Sequence, residues 1–312
     1  MVRRYPAGSP AAIAALAIVV SLTIAPAFGT RVLAADKIET AAKPEAADKP
    51  EIDYKTDIVY GTGGGEELKL DVATPKGLDR AVPAIVVIHG GGWAGGKRAD
   101  MATFAKEAAA HGYVGATISY RLAPKHRSPA QIEDVKCAVR YLRAHADELK
   151  IDPKKIGAMG LSAGAHLAMI LGTMDPADGL EGEGGNTDQS SKVQAVVSFV
   201  GPVNLVGEYP EVSQRILENF LGGKPADKKD EARLASPITY VNKGDAPMLL
   251  FFGTKDPLVP YDQAFQMTTA LTNAGVPSRV EMLVGASHGW GGKELERTLK
   301  ETMSFFDAQL LK

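Results

Sequence analysis

From residue 57 to the C-terminus, short apolar runs alternate with longer runs in which apolar residues recur every three or four positions. The short runs predict strands at Asp57–Tyr60, Leu68–Ala73, Ala84–Ile88, Tyr113–Ser119, Lys155–Met159, Gln194–Phe199, Met248–Phe252 and Arg279–Leu283. The helical-period runs predict helices at Ala99–Ala110, Gln131–Ala146, Ala163–Gly172, Ser213–Leu221, Asp262–Asn273 and Lys293–Leu310. The first two strands are joined by Gly61-Thr62-Gly63-Gly64-Gly65, a flexible turn that suits an antiparallel hairpin. From Ala84 onward strand and helix alternate, which predicts parallel strands, right-handed crossovers and helices on both faces of one sheet. Ala84–Ile88 and Met248–Phe252 are apolar at every position, as expected of strands buried on both faces. Functional residues on such a sheet belong just beyond the carboxyl ends of the strands.

The N-terminal pattern is different. Arg3 and Arg4 precede a run from Ala11 to Ala27 that is apolar apart from Ser21, Thr23 and Pro26, and small-residue exits follow at Ala25-Pro26-Ala27 and Val32-Leu33-Ala34. Residues 1–34 read as a cleaved signal peptide, with a retained anchor as the competing reading. Residues 35–53, mostly Ala, Lys, Pro, Asp and Glu, read as a disordered linker, leaving 54–312 as one folded domain in a secreted or periplasmic protein. The composition is that of an ordinary globular chain, and a formal net charge of −2 over 312 residues offers no field for nucleic acid or an anionic membrane. No stable membrane association is expected of the mature chain. Cys137 is the sole cysteine, so no internal disulfide exists; within a predicted helix it reads as a small buried hydrophobe.

G-x-S-x-G occurs twice, at Gly160–Gly164 and Gly285–Gly289, and context separates the two. Ser162 lies between a short strand and the helix-forming run Ala163–Ile170, the setting of a strained strand-to-helix elbow. Ser287 runs into Trp290-Gly291-Gly292, a poor helix start, and no histidine beyond His288 could serve it. A serine hydroxyl needs a base within hydrogen-bond reach, itself oriented by an acid. Only His166 and His288 follow Ser162; His166 lies along the elbow helix and is expected to pack, so His288 is the base. Asp256, directly after the strand ending at Phe252, is the acid, with Asp262 the nearest rival and Asp245 at the wrong end of that strand. His89-Gly90-Gly91-Gly92-Trp93 follows another strand and fits an oxyanion loop. Gly91, Gly92 and Ala163 are the expected donors there, and His89 a brace. A plain glycine turn is the competing reading; a phosphate loop is excluded because Gly95-Gly96-Lys97-Arg98 lacks the required spacing.

With these residues placed, the chain resembles the carboxylesterase families near the hormone-sensitive-lipase group, and most nearly the bacterial feruloyl-esterase and acetylxylan-esterase-like branch. The likeness runs from about Tyr54 to Lys312 and rests on His89–Lys97, Ser119–Pro124, Pro129–Leu142, the elbow, Gly253–Pro260 and Ser287–Gly289. It implies an α/β-hydrolase fold, with the eight predicted strands in one mostly parallel sheet; the N-terminal helical cap usual in the hormone-sensitive-lipase group is not expected, because the linker stands in its place. It further implies the triad and donors above, an ester substrate on a small molecule or polysaccharide, and neither cofactor nor metal. Leu161 stands where the hormone-sensitive-lipase group usually has Asp, and Ala165 where many relatives of the other branch have glycine. Trp93 and Trp290 are candidate substrate-binding residues, loop packing being the alternative. The acidic stretch Thr173–Lys192 reads equally as a loop over the site or a surface insertion. A formamidase-like amide hydrolase and an inert module on the same fold remain as alternatives.

Overall fold

The computed structural model describes residues 50–312. The span read as a signal peptide, and the linker as far as residue 49, lie outside the described residues. Eight strands form one sheet: β1 Ile52–Gly63, β2 Glu66–Pro75, β3 Val82–Ile88, β4 Val114–Ile118, β5 Ile151–Leu161, β6 Ala195–Phe199, β7 Met248–Gly253 and β8 Ser278–Leu283. Their spatial order is β1-β2-β4-β3-β5-β6-β7-β8. β1 pairs antiparallel with β2, and β2 antiparallel with β4, while every later pairing is parallel. The helices are α1 Ala102–Ala110, α2 Ala130–Ala144, α3 Ala146–Leu149, α4 Ala163–Thr173, α5 Glu211–Leu221, α6 Lys229–Leu234, α7 Asp262–Ala274 and α8 Gly292–Leu310.

Side-chain alternation along the central strands divides the core in two. Ala84, Val86 and Ile88 of β3 and Met248, Leu250 and Phe252 of β7 join residues of α2, α4, α5 and α7 on one face. Ile85 and Val87, with Leu249 and Phe251, join residues of α1 and α8 on the other. Each central strand is apolar throughout because each parity meets its own layer of helices. The chain leaves β3 toward β4 and returns past it to β5, so β3 lies between the two. Loops leaving β3 and β5 diverge there, opening a crevice at their carboxyl ends.

Edge and insertion segments depart from the sequence reading. β1 has 12 residues rather than the four read as Asp57–Tyr60, and its first residue, Ile52, falls within the span read as linker. It is an edge strand, half of its residues exposed and only Tyr60 buried, with register shifts at Lys55/Ile58 and Val59/Gly61 that break the two-residue period. The acidic stretch after α4 is a packed insertion. Glu181 forms ion pairs with the buried Lys136 and Arg140 of α2 and accepts a hydrogen bond from Ser191 Oγ. Cys137, between those two cations in sequence, is buried, and burial raises its thiol pKa. Among the described residues no helix is long and apolar enough to cross a membrane.

Candidate active site

Ser162 sits between β5 and α4 with φ 53° and ψ −119°. An L-residue at positive φ carries a cost of about 1–3 kcal/mol, which neighbouring packing must hold in place. Ser162 N–H donates to Phe199 O of β6 at 2.8 Å, and Ser162 O accepts from His166 N–H at 3.0 Å. The start of α4 is pressed so closely on β3 that a Cβ at Gly164 would lie 2.2 Å from Ile88 O. A side chain there would force apart the elbow and the loop after β3.

The strand ends bring Ser162, His288 and Asp256 into one hydrogen-bonded chain. Ser162 Oγ lies 2.8 Å from His288 Nε2, and His288 Nδ1 lies 2.7 Å from Asp256 Oδ2. Asp256 is fully buried at its side chain, and its other oxygen accepts the backbone N–H groups of Leu258 and Val259 at 2.8 and 3.0 Å. A carboxylate oxygen only accepts, so Nδ1 carries the hydrogen and Nε2 is left to accept the serine hydroxyl. The two rival acids are engaged elsewhere. Asp262 accepts from Gln266 Nε2, and Asp245 accepts from the backbone of Asn242 at the opposite end of β7. Ser287 does not line the cavity that holds Ser162 and His288.

The loop after β3 runs beside the nucleophile. A Cβ at Gly90 would stand 2.8 Å from Leu161 O and 3.4 Å from Ser162 Cβ, so no larger residue fits this approach. Gly91 and Gly92 follow at φ 105° and 59° and line the same cavity as Ser162. Ala163 opens α4, where the first backbone N–H groups lack acceptors within the helix. His89 braces the loop: its Nδ1–H donates to Gly90 O at 2.8 Å and its ring stacks on Tyr120 at 4.3 Å. The cavity is about 590 Å³ and mostly apolar, walled by Met101, Pro202, Leu258 and Val259. Tyr209, Ser213, Ile216, Leu217 and Asn219, from the segment after β6, complete the wall. The sequence reading placed α5 but gave these five residues no role. Their signal was their position after the carboxyl end of a central strand. Among the described residues no group of three His, Cys, Asp or Glu side chains is arranged to hold a metal.

The tryptophans are placed otherwise than expected. Trp290 is absent from the cavity wall; its ring packs near Phe199 and Phe251 on the α8 side of the sheet, and its indole N–H donates to Thr298 Oγ1. This corrects the substrate-binding reading of Trp290. Trp93 touches the cavity, but its ring is sunk to 3% exposure, stacked on Phe220 at 4.2 Å, and its N–H donates to His166 Nδ1. It is chiefly a packing residue. His166 in turn donates from Nε2 to Ala235 O at 2.6 Å, which makes it a neutral imidazole in the core.

Burial pushes His166 down to about 4 from 6.5. The unfolded chain therefore takes up this proton first, and folded-state stability is lost as pH falls from about 6.5 toward 4. A difference of that size corresponds to about 3 kcal/mol at its limit. Urea unfolding at pH 7 and pH 4.5 should show a loss about 2–3 kcal/mol smaller for His166→Gln than for the wild type. Equal losses in the two proteins would remove His166 as the cause.

This strand order, with a nucleophile elbow after β5 and a glycine loop after β3, defines an α/β hydrolase of the carboxylesterase group. The chain belongs to the BD-FAE family, whose pattern matches residues 70–271. It is 33% identical over 224 residues to esterase LipQ of Mycobacterium tuberculosis, covering 69% of this chain and 52% of LipQ. It spans about half the length of the curated relatives it matches. Among solved structures it aligns with a truncated carbohydrate esterase from gut microbiota at a TM-score of 0.74 and 27% identity, covering 86% of this chain and 100% of the other. It aligns with propionate-bound Est2, a thermophilic esterase of Thermogutta terrifontis, at a TM-score of 0.69 and 28% identity, covering 85% and 96%. Est2 has also been solved phosphonylated by sarin.

Proposed function

We propose that the chain is a serine hydrolase of carboxylic esters, acting through an acyl-enzyme on short or aromatic acyl groups carried by plant polysaccharide. The observation that carries the reaction is the chain Ser162 Oγ, His288 Nε2, His288 Nδ1, Asp256 Oδ2, opening into the cavity beside Gly91 and Gly92. In this reading Ser162 Oγ attacks the ester carbonyl carbon while His288 Nε2 takes its proton. Asp256 is the orienting acid and stabilises the imidazolium that forms. The N–H groups of Gly91, Gly92 and Ala163 meet the developing oxyanion. Collapse passes the proton from Nε2 to the leaving alkoxide and leaves an acyl-Ser162. Water, deprotonated by the same nitrogen, then releases the acid and restores Ser162.

Two features support the substrate class. The cavity wall is mostly apolar and, among the described residues, Asp100 is the one Asp, Glu, Lys or Arg that lines it, which favours uncharged acids. Structural likeness to a carbohydrate esterase supports a sugar on the alcohol side. The polymer reading also requires export, for which residues 1–34 are the proposed leader. A panel of 4-nitrophenyl esters and esterified xylan tests this. Acetate and butyrate esters should exceed palmitate by at least about tenfold in kcat/KM, with acetate or ferulate released from xylan. Equal or faster palmitate cleavage with no release from xylan would overturn the substrate reading and leave the reaction type standing.

A further inference from the structure

A second cavity of about 580 Å³ adjoins the first and is lined by Glu208, Tyr209, Pro210, Pro260, Asp262 and Gln266. Tyr209 lines both cavities. The same two chain segments wall both in succession. Leu258 and Val259 face the first cavity and Pro260 and Asp262 the second, while Tyr209 and Ser213 face the first and Glu208 to Pro210 the second. Tyr209 is fixed as the partition by its hydroxyl, which donates to Asn204 O at 3.1 Å.

These segments also carry an unusual amount of exposed apolar surface. Val206, Val212, Tyr261 and Phe265 are 47, 55, 50 and 50% exposed, and they account for four of the eight large exposed hydrophobics among the described residues. Tyr261 and Phe265 are one helical turn apart at the start of α7, directly beside Asp262 and Gln266 in sequence. Gln266 is held in place by Asn204 Nδ2 at 3.0 Å and itself donates to Asp262. Among the described residues no lysine or arginine lines this cavity.

We propose that this second cavity, with the exposed Tyr261 and Phe265 next in the chain to its wall residues Pro260, Asp262 and Gln266, is a subsite for a neutral polysaccharide chain whose ester lies at Ser162. The proposal rests on the polysaccharide-ester reading above. A pyranose ring offers an apolar C–H face and a set of hydroxyls. Exposed aromatic rings take the first, and carboxylate and amide oxygens accept from the second. With Glu208 and Asp262 in its wall and no cation, the cavity repels uronates and anionic lipid headgroups. It suits an uncharged xylan-like backbone. The two cavities share Tyr209 as a wall, so the second lies within reach of a sugar chain whose ester is held at Ser162.

Calorimetric titration of the wild type with unesterified xylohexaose, repeated on Tyr261→Ala/Phe265→Ala, tests this. Both side chains are half exposed and neither lines the catalytic cavity. The double variant should bind xylohexaose about tenfold more weakly and show a similar loss in kcat/KM on acetylated xylan. Its hydrolysis of 4-nitrophenyl acetate should stay within about twofold. No binding of xylohexaose by the wild type, or equal binding by the variant, would overturn the subsite even if xylan is deacetylated. So would a dimer that the variant dissociates without any change in xylohexaose affinity, which would make this face an interface between copies. Weakened binding in the variant with no acetate released by the wild type would instead uphold the subsite and reject the polymer-ester function.

Discussion

Ser162→Ala and His288→Ala are each expected to lower kcat by roughly 10³-fold or more, and the double variant to be scarcely worse than either. The 2.8 Å contact between Ser162 Oγ and His288 Nε2 makes the two one unit, so removing either member disables the other. What remains should be the activity of a bound ester beside the donors of Gly91, Gly92 and Ala163. Ser287→Ala, at the second G-x-S-x-G, serves as the control and should keep most of its activity, because Ser287 stands outside the cavity. Steady-state rates on 4-nitrophenyl acetate check all four proteins. Additive losses in the double variant, or an inactive Ser287→Ala, would contradict this assignment.

Asp256→Asn should cost on the order of 10³- to 10⁴-fold in kcat with little change in folding. The native carboxylate accepts three N–H groups: Leu258 and Val259 at one oxygen, His288 at the other. An asparagine has one acceptor oxygen, and the two backbone donors fix it at Oδ1. Its amide N–H₂ then faces His288 Nδ1 and imposes the tautomer with hydrogen on Nε2. That nitrogen can no longer accept the proton of Ser162. Rates on the same ester, with a thermal unfolding curve to verify the fold, decide the matter. A variant that retains more than about a tenth of wild-type activity would transfer the orienting role to another acid.

What the sequence revealed, and what it hid, follows from burial. Central strands such as Ala84–Ile88 and Met248–Phe252 were legible because both parities are covered by helices and every position is apolar. β1 was mostly missed because an edge strand with two register shifts presents no clean alternation. Ser162, His288 and Asp256 were legible because each follows a strand in a loop with its own motif. The residues of α5 were not, because Ile216 and Leu217 look like core leucines and isoleucines until the sheet places them over a cavity. Trp290 misled for a related reason. It stands two positions after His288 in sequence, yet the chain turns so that its ring packs on the opposite side of the sheet from α4. α6, six residues long, is too short for helical periodicity to register.

The most direct test of the account is covalent. A fluorophosphonate probe should label the purified wild-type protein once, and mass spectrometry of the digest should place the adduct on the peptide containing Ser162. The side chain offers a hydroxyl activated by His288 at 2.8 Å, in a cavity of about 590 Å³ open to a small phosphonate. Labelling should vanish in Ser162→Ala, fall sharply in His288→Ala and persist in Ser287→Ala. An adduct on Ser287, or no adduct on a folded wild-type protein, would contradict the assignment of Ser162 as the nucleophile.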